Sequence, residues 1–228
     1  MLLLPLAGCA RTDTPSPEGF RDLWDVLTDN TAKRNVLRME DTADADERWM
    51  GIEFLVDHTY GRKPPYTTRY AQVATTDPDH VVRAYAVRAL NRSRDAAAVD
   101  AFIAALDDEH PMVRLEAAKA LGNVPDSRAV PALLRHLGPT ITPPPDGADT
   151  ARPALREETM DVRVAVAKAL RHYRSADVAR ALVDALDERD FAVAYYARTS
   201  LQEITGADHA YDEAAWLAYL TGPGKPLG

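Results

Sequence analysis

Apolar residues along this chain mark out one helical face several times over. Val113, Ala117, Ala120 and Leu121 stand at i, i+4, i+7 and i+8, the spacing that puts side chains on one side of a helix. The same run leads from Val82-Arg83 to Ala89-Leu90, from Val162-Arg163 to Ala169-Leu170, and from Val193-Ala194 to Ser200-Leu201. Arg83 and Arg114 are 31 residues apart, Arg114 and Arg163 are 49 apart, and Arg163 and Ala194 are again 31 apart. A 31-residue step with one 18-residue insertion accounts for all four. A second series keeps the same frame: Ala98-Val99 to Leu106, Ala129-Val130 to Leu137, and Val178-Ala179 to Leu186. Each repeat is therefore predicted to be two helices, an outer one with the leucine series and an inner one with the Val-Arg series. No sustained period-2 run of β-branched residues competes with this reading.

Punctuation agrees with the pattern. A small residue follows three places after each arginine position (Ala86, Ala117, Val166, Ala197) and lets neighbouring helices approach. Asp77-Pro78-Asp79 and Asp108-Glu109-His110-Pro111 supply caps and early-helix prolines, and Gly122 is expected to close a helix. The segment 138–157 holds Pro139, Pro143, Pro144, Pro145 and Pro153 and must be a loop, because proline removes helix hydrogen bonds. Arg48 to Leu55 reads as a degenerate inner helix, with Arg48 in the arginine place and Gly51 in the small one. Phe20 to Leu27 suggests one more short helix. Ile204-Thr205-Gly206 stops the last repeat, and Asp212 is expected to cap a final helix carrying Trp216, Leu217 and Leu220. The expected division is 1–18 as signal remnant and tether, 19–44 as an N-terminal capping region, 45–205 as repeats, and 206–228 as a C-terminal cap helix and tail.

The pattern resembles the HEAT-repeat family, in particular the short bacterial type also seen in phycobilisome lyases, with a consensus near D-P-x-x-x-V-R-x-x-A-x-x-A-L-G. Asp108 to Gly122 fits it best; Asn91 replaces the glycine in the first repeat, and Ala194 replaces the arginine in the fourth. The resemblance implies an all-α superhelix whose inner helices line a concave surface, with four full inner helices and a cap at each end. It implies little about activity, because one fold hosts many functions. Ile204 to Leu220 is similar to the I-T-G…Y-D…W tail of HEAT-repeat lipoproteins from planctomycete-type bacteria.

Composition adds three constraints. Alanine, valine and leucine dominate an apolar share of 46%, and aromatics make up only 7%, which suits closely stacked helix pairs. A net charge of −8 speaks against a nucleic-acid partner, which needs clustered Lys and Arg. Cys9 is the single cysteine, so no intramolecular disulfide forms. Leu6-Ala7-Gly8-Cys9 resembles the lipobox of bacterial lipoproteins, which implies lipid on the Cys9 sulfur and a place on the periplasmic side of a membrane. No basic residue precedes Cys9, and the apolar part is short for a signal peptide, so the start codon is expected to lie upstream of Met1. Without processing at Cys9 the protein would be cytoplasmic.

No catalytic constellation emerges, and neither a cofactor nor a metal is expected. The six histidines (His58, His80, His110, His136, His172, His209) show no zinc-protease spacing and read as solvated turn residues. The carboxylates in 107–109 and 187–190 read as caps. Arg83, Arg114 and Arg163 form a ladder suited to binding turn carboxylates and carbonyls of adjacent repeats. Five residues later, Arg88, Lys119 and Lys168 form a second row that could bind a partner, with Tyr85, Tyr195 and Tyr196 as aromatic anchors on the same helices. The expected function is non-catalytic binding of a protein or peptide by a lipid-anchored monomer at the cell envelope. A bilin-lyase-like enzyme and a cytosolic adaptor are the alternatives.

Overall fold

A computed structural model of the chain describes residues 31–140, 157–223 and 227. Five helical hairpins follow one another: α1 (Thr31–Met39) with α2 (Ala45–Asp57), α3 (Tyr66–Thr76) with α4 (His80–Ser93), α5 (Val99–Leu106) with α6 (Pro111–Asn123), α7 (Val130–Arg135) with α8 (Met160–Leu170), and α9 (Ala176–Asp184) with α10 (Phe191–Thr205). A last helix, α11 (Glu213–Thr221), packs on α9. The second helices of the hairpins, α2, α4, α6, α8 and α10, lie against one another in chain order and form the inner layer. The first helices form the outer layer. Among the described residues there is no strand, only one antiparallel bridge between Thr140 and Glu157.

The inner layer stacks closely because its contact positions are small. Ala86, Ala117, Val166 and Ala197 are all fully buried, as are Leu121, Leu170 and Leu201 one turn later. At Gly51 a side chain is excluded outright: a Cβ there would lie 2.6 Å from both the Asn35 carbonyl oxygen and the Met39 nitrogen of α1. Helix starts follow local chemistry. Asp44, Asp79, Ser175 and Asp212 accept hydrogen bonds from the first turns of α2, α4, α9 and α11. Gly206 ends α10 in the left-handed conformation, at φ 77°.

Two expectations need correction. The inner layer has five helices, not four, because Arg48 to Leu55 lies in a full 13-residue helix, α2, with partners on both sides. Gly122 does not close α6, which runs on to Asn123 and is capped by Val124; the glycine instead faces Ala169 across the helix interface. Helix α3 carries no strong pattern in sequence. Helix α3 is rich in threonine and tyrosine, poor helix formers, and its buried Tyr70 and Val73 show that packing holds it. The short helix expected at Phe20 to Leu27 and most of the proline-rich insertion lie outside the described residues. Both ends of that insertion are held: Glu158 N donates to Pro139 O at 2.8 Å, beside the Thr140–Glu157 bridge.

Candidate functional site

The arginine positions form a ladder along one edge of the inner layer. Arg83 Nε and Nη2 donate to the two Asp108 carboxylate oxygens at 2.7 and 2.9 Å, while Nη1 donates to Asp77 O at 2.9 Å. Arg48 repeats the arrangement with Asp77 at 2.8 and 3.0 Å and with Asp41 O at 3.0 Å. Arg114 grips Glu158 at 2.9 and 2.8 Å and donates to Asp108 O and Glu109 O. Arg163 donates to Leu137 O at 3.1 Å and to Asp190 Oδ2 at 3.0 Å, and pairs with Glu188 at 2.7 Å. Each guanidinium thus binds the turn carboxylate that precedes the next inner helix. The planar fork fits a carboxylate bidentately and also satisfies carbonyls that a helix start leaves open. At the fifth position stands Ala194, and the ladder ends.

This geometry extends the reading of the acidic turns as caps: Asp108 Oδ1 accepts from His110 N at 2.8 Å, and these carboxylates also bind arginines. Asp108 holds Arg83, Asp107 pairs with Arg135 at 3.1 Å, and Glu188 and Asp190 hold Arg163. Arg48 belongs to the ladder as well. Where the insertion displaces the turn aspartate of the third step, the longer Glu158 reaches the same guanidinium.

His136 is likewise not solvated. It is fully buried at the end of α7, and its Nδ1 donates to Glu158 Oε2 at 2.7 Å, with Asp107 Oδ1 3.7 Å from Nε2. Burial alone lowers a histidine pKa, yet the two carboxylates outweigh it and hold His136 above its ordinary value. Burial pushes the Glu158 carboxyl up, but hydrogen bonds from His136, Arg114 and the Thr159 backbone more than offset this and hold it below the usual range. The sequence hides this cluster because Asp107 lies in the α5–α6 turn, Arg114 in α6, and His136 and Glu158 at the two ends of the α7–α8 connection, and only the fold brings them together.

The second row lies on the exposed face of the inner layer, and its members differ. Arg88 and Lys119 both bind Glu116, at 3.3 and 3.0 Å, so this carboxylate partly neutralises the row. The i, i+3 spacing of Glu116 and Lys119 was the available signal. Arg88 also lies 4.7 Å from the Tyr85 ring centroid, and Tyr85 stacks on Trp49 at 4.8 Å. Lys168 is exposed, with its ammonium 3.9 Å over the Tyr196 ring. Tyr196 meets Tyr195 edge-on at 5.1 Å, and Tyr195 neighbours the exposed Phe191. Between α6 and α8 the face opens into a cleft of about 480 Å³ that includes Lys119 and Lys168. The candidate row therefore splits into a Trp49–Tyr85–Arg88–Glu116–Lys119 group and a Lys168–Tyr196–Tyr195 group. Among the described residues, no group of three or more His, Cys, Asp or Glu side chains is placed to hold a metal ion, and no helix is long and apolar enough to cross a membrane. Cys9 lies outside the described residues.

Comparison with known proteins bears on the fold. Residues 69–143 match the family model for HEAT repeats. No curated protein matches the sequence. The structure is similar to the complex of CpcE and CpcF of phycocyanin lyase from Nostoc sp. PCC7120, with a TM-score of 0.61 and 19% identity over 90% of this chain and 71% of that one. It is also similar to an engineered protein, with a TM-score of 0.53 and 18% identity over 77% of this chain and 80% of the other. The chain has the fold of a HEAT-like α-solenoid, built from repeated helical hairpins.

Proposed function

We propose that the protein is a non-catalytic scaffold that binds a protein or peptide partner on the exposed face of its inner layer. The observation that carries this reading is a pair of groups on the inner helices, Tyr85 with Arg88 and Lys119, and Lys168 with Tyr196 and Tyr195, the last 45% exposed and so open to a partner. Aromatic and cationic side chains at a surface cleft are the residue types that carry binding energy in protein interfaces. The arginine ladder acts as the frame, since its guanidinium groups are committed to turn carboxylates. The Leu6-Ala7-Gly8-Cys9 motif supports a lipid tether to a bacterial membrane, on the periplasmic side.

Affinity capture from native membranes tests the binding role, comparing wild type with Lys119→Glu/Lys168→Glu. Loss of the captured partner in the variant is expected, and equal capture by both proteins would reject this face. Mass spectrometry of Cys9 from the native host tests the tether, which an unprocessed N-terminus would end. Fractionation would then place the protein in the cytosol as an adaptor. The likeness to a lyase complex favours one second reading, a bilin-lyase-like enzyme. A bilin-attachment assay separates the two, because a scaffold transfers no chromophore.

A further inference from the structure

We propose that the cleft between α6 and α8 receives a short segment of the partner in which one or two carboxylates sit beside apolar side chains, with Lys168 as the cationic anchor. This inference rests on the scaffold reading above and names the chemistry of its partner. The first argument is the pairing of cations. Arg92 is bound to Glu53 and Asp57, Arg88 and Lys119 share Glu116, Arg171 lies 3.8 Å from Glu203, and Arg198 is bound to Asp208. Lys168 has no carboxylate within ion-pair distance among the described residues, and it rests on the Tyr196 ring instead. A lysine held over a ring face keeps ammonium hydrogens for a further acceptor, and its position is already restricted, which lowers the entropy lost on binding.

The second argument is the shape and lining of the cleft. Its wall is apolar at Leu115, Ala118, Val164 and Ala165, while Lys119 and Lys168 stand on its two sides. The rings of Tyr196, Tyr195 and Phe191 continue the surface onto α10, with Phe191 68% exposed. Three helices at the usual spacing of ~8–10 Å span roughly 20 Å, about six residues of extended chain at ~3.3 Å each. The occupant is thus a peptide segment.

The third argument limits its charge. Lys119 and Arg88 against Glu116 leave one excess positive charge, Lys168 adds another, and Asp161 at the cleft opposes them. With the whole chain at −8, a long polyanion is repelled, whereas one or two carboxylates are governed by charges within a screening length of ~8–10 Å.

Selection of random peptides of about nine residues, long enough for that span, against the full chain provides the test. Wild type is expected to enrich sequences with Asp or Glu next to aliphatic or aromatic residues. A peptide so selected should bind Lys168→Glu at least about tenfold more weakly by fluorescence anisotropy, and raised salt should weaken it on wild type. Tyr195→Ala should weaken it while leaving the preference for acidic residues in place. Circular dichroism confirms folding, and both substituted side chains are exposed. Enrichment of neutral or basic sequences, or an unchanged affinity for Lys168→Glu, overturns the proposal, as does no enrichment at all. A photo-crosslinking residue at Tyr196, used in native cells, separates the two levels. An adduct formed despite a failed selection leaves the scaffold reading standing and removes only the acidic segment; absence of both removes both.

Discussion

At the scale of single residues, the cluster around His136 has the clearest consequence for stability. Four charged groups face one another there: Asp107, Arg114, His136 and Glu158, with Arg135 beside Asp107. A histidine whose pKa is raised by folding contributes its full stability below its ordinary value of 6.5 and loses it as pH rises through the folded value. A glutamate whose pKa is lowered contributes fully above 4.5 and loses that contribution as pH falls through its folded value. The cluster is therefore most stabilising between pH 4.5 and 6.5. His136→Gln keeps a hydrogen-bonding side chain but cannot titrate. In urea unfolding across pH, the stability gap between wild type and this variant should be constant in that window and narrow at alkaline pH. A gap unchanged up to about pH 9 would show that folding does not raise the His136 pKa. Arg114 and Glu158 are both almost fully buried, so loss of either leaves the other's charge without its partner, a defect that costs about 3–5 kcal/mol in buried pairs.

At the scale of elements, the insertion between α7 and α8 interrupts the repeat without interrupting the stack. Helix α8 packs on α6 as α6 packs on α4. The reason lies at the insertion's ends, where Glu158 restores the ladder carboxylate and bonds back to Pro139. Replacing residues 141–156 with Asn-Gly, a two-residue turn suited to joining the Thr140–Glu157 bridge, should leave helical content and unfolding free energy within about 1 kcal/mol of wild type. A much larger loss by denaturant titration would show that the replaced segment supports the stack. This element also marks a limit of sequence reading. The prolines and the 18-residue offset marked where the repeat is interrupted, whereas the catch by Glu158 and His136 was not legible, since nothing local links residues 136 and 158 to Arg114.

For the whole molecule, each hairpin touches its neighbours along the stack and little else, so stability is a sum of nearest-neighbour terms. The C-terminal cap depends on Trp216, which is fully buried and donates from Nε1 to Ala210 O at 3.1 Å. Trp216→Ala should cost about 3–5 kcal/mol. By hydrogen exchange, the loss should appear as faster opening of α9, α10 and α11, with α2 and α4 unchanged. Uniformly faster exchange in every repeat would mean that the solenoid opens as one unit.

Taken alone, the sequence determined the repeat, because a helical face recurring every 31 residues has no other economical folding solution than stacked helix pairs. It also determined the ladder's arginines, the small positions at the helix contacts, and the final helix with its Asp212 cap. Tertiary structure alone decided what those residues meet. It turned Arg48 to Leu55 from a degenerate end into a fifth inner helix, since neighbours on both sides complete a weak pattern. It also gave helix α3 its form through the burial of Tyr70 and Val73. Finally, it separated Lys168 from Arg88 and Lys119, which share one position in the repeat. Glu116 lies within reach of two of these cations and not the third, and such pairing depends on distances across helices that no single stretch of chain encodes.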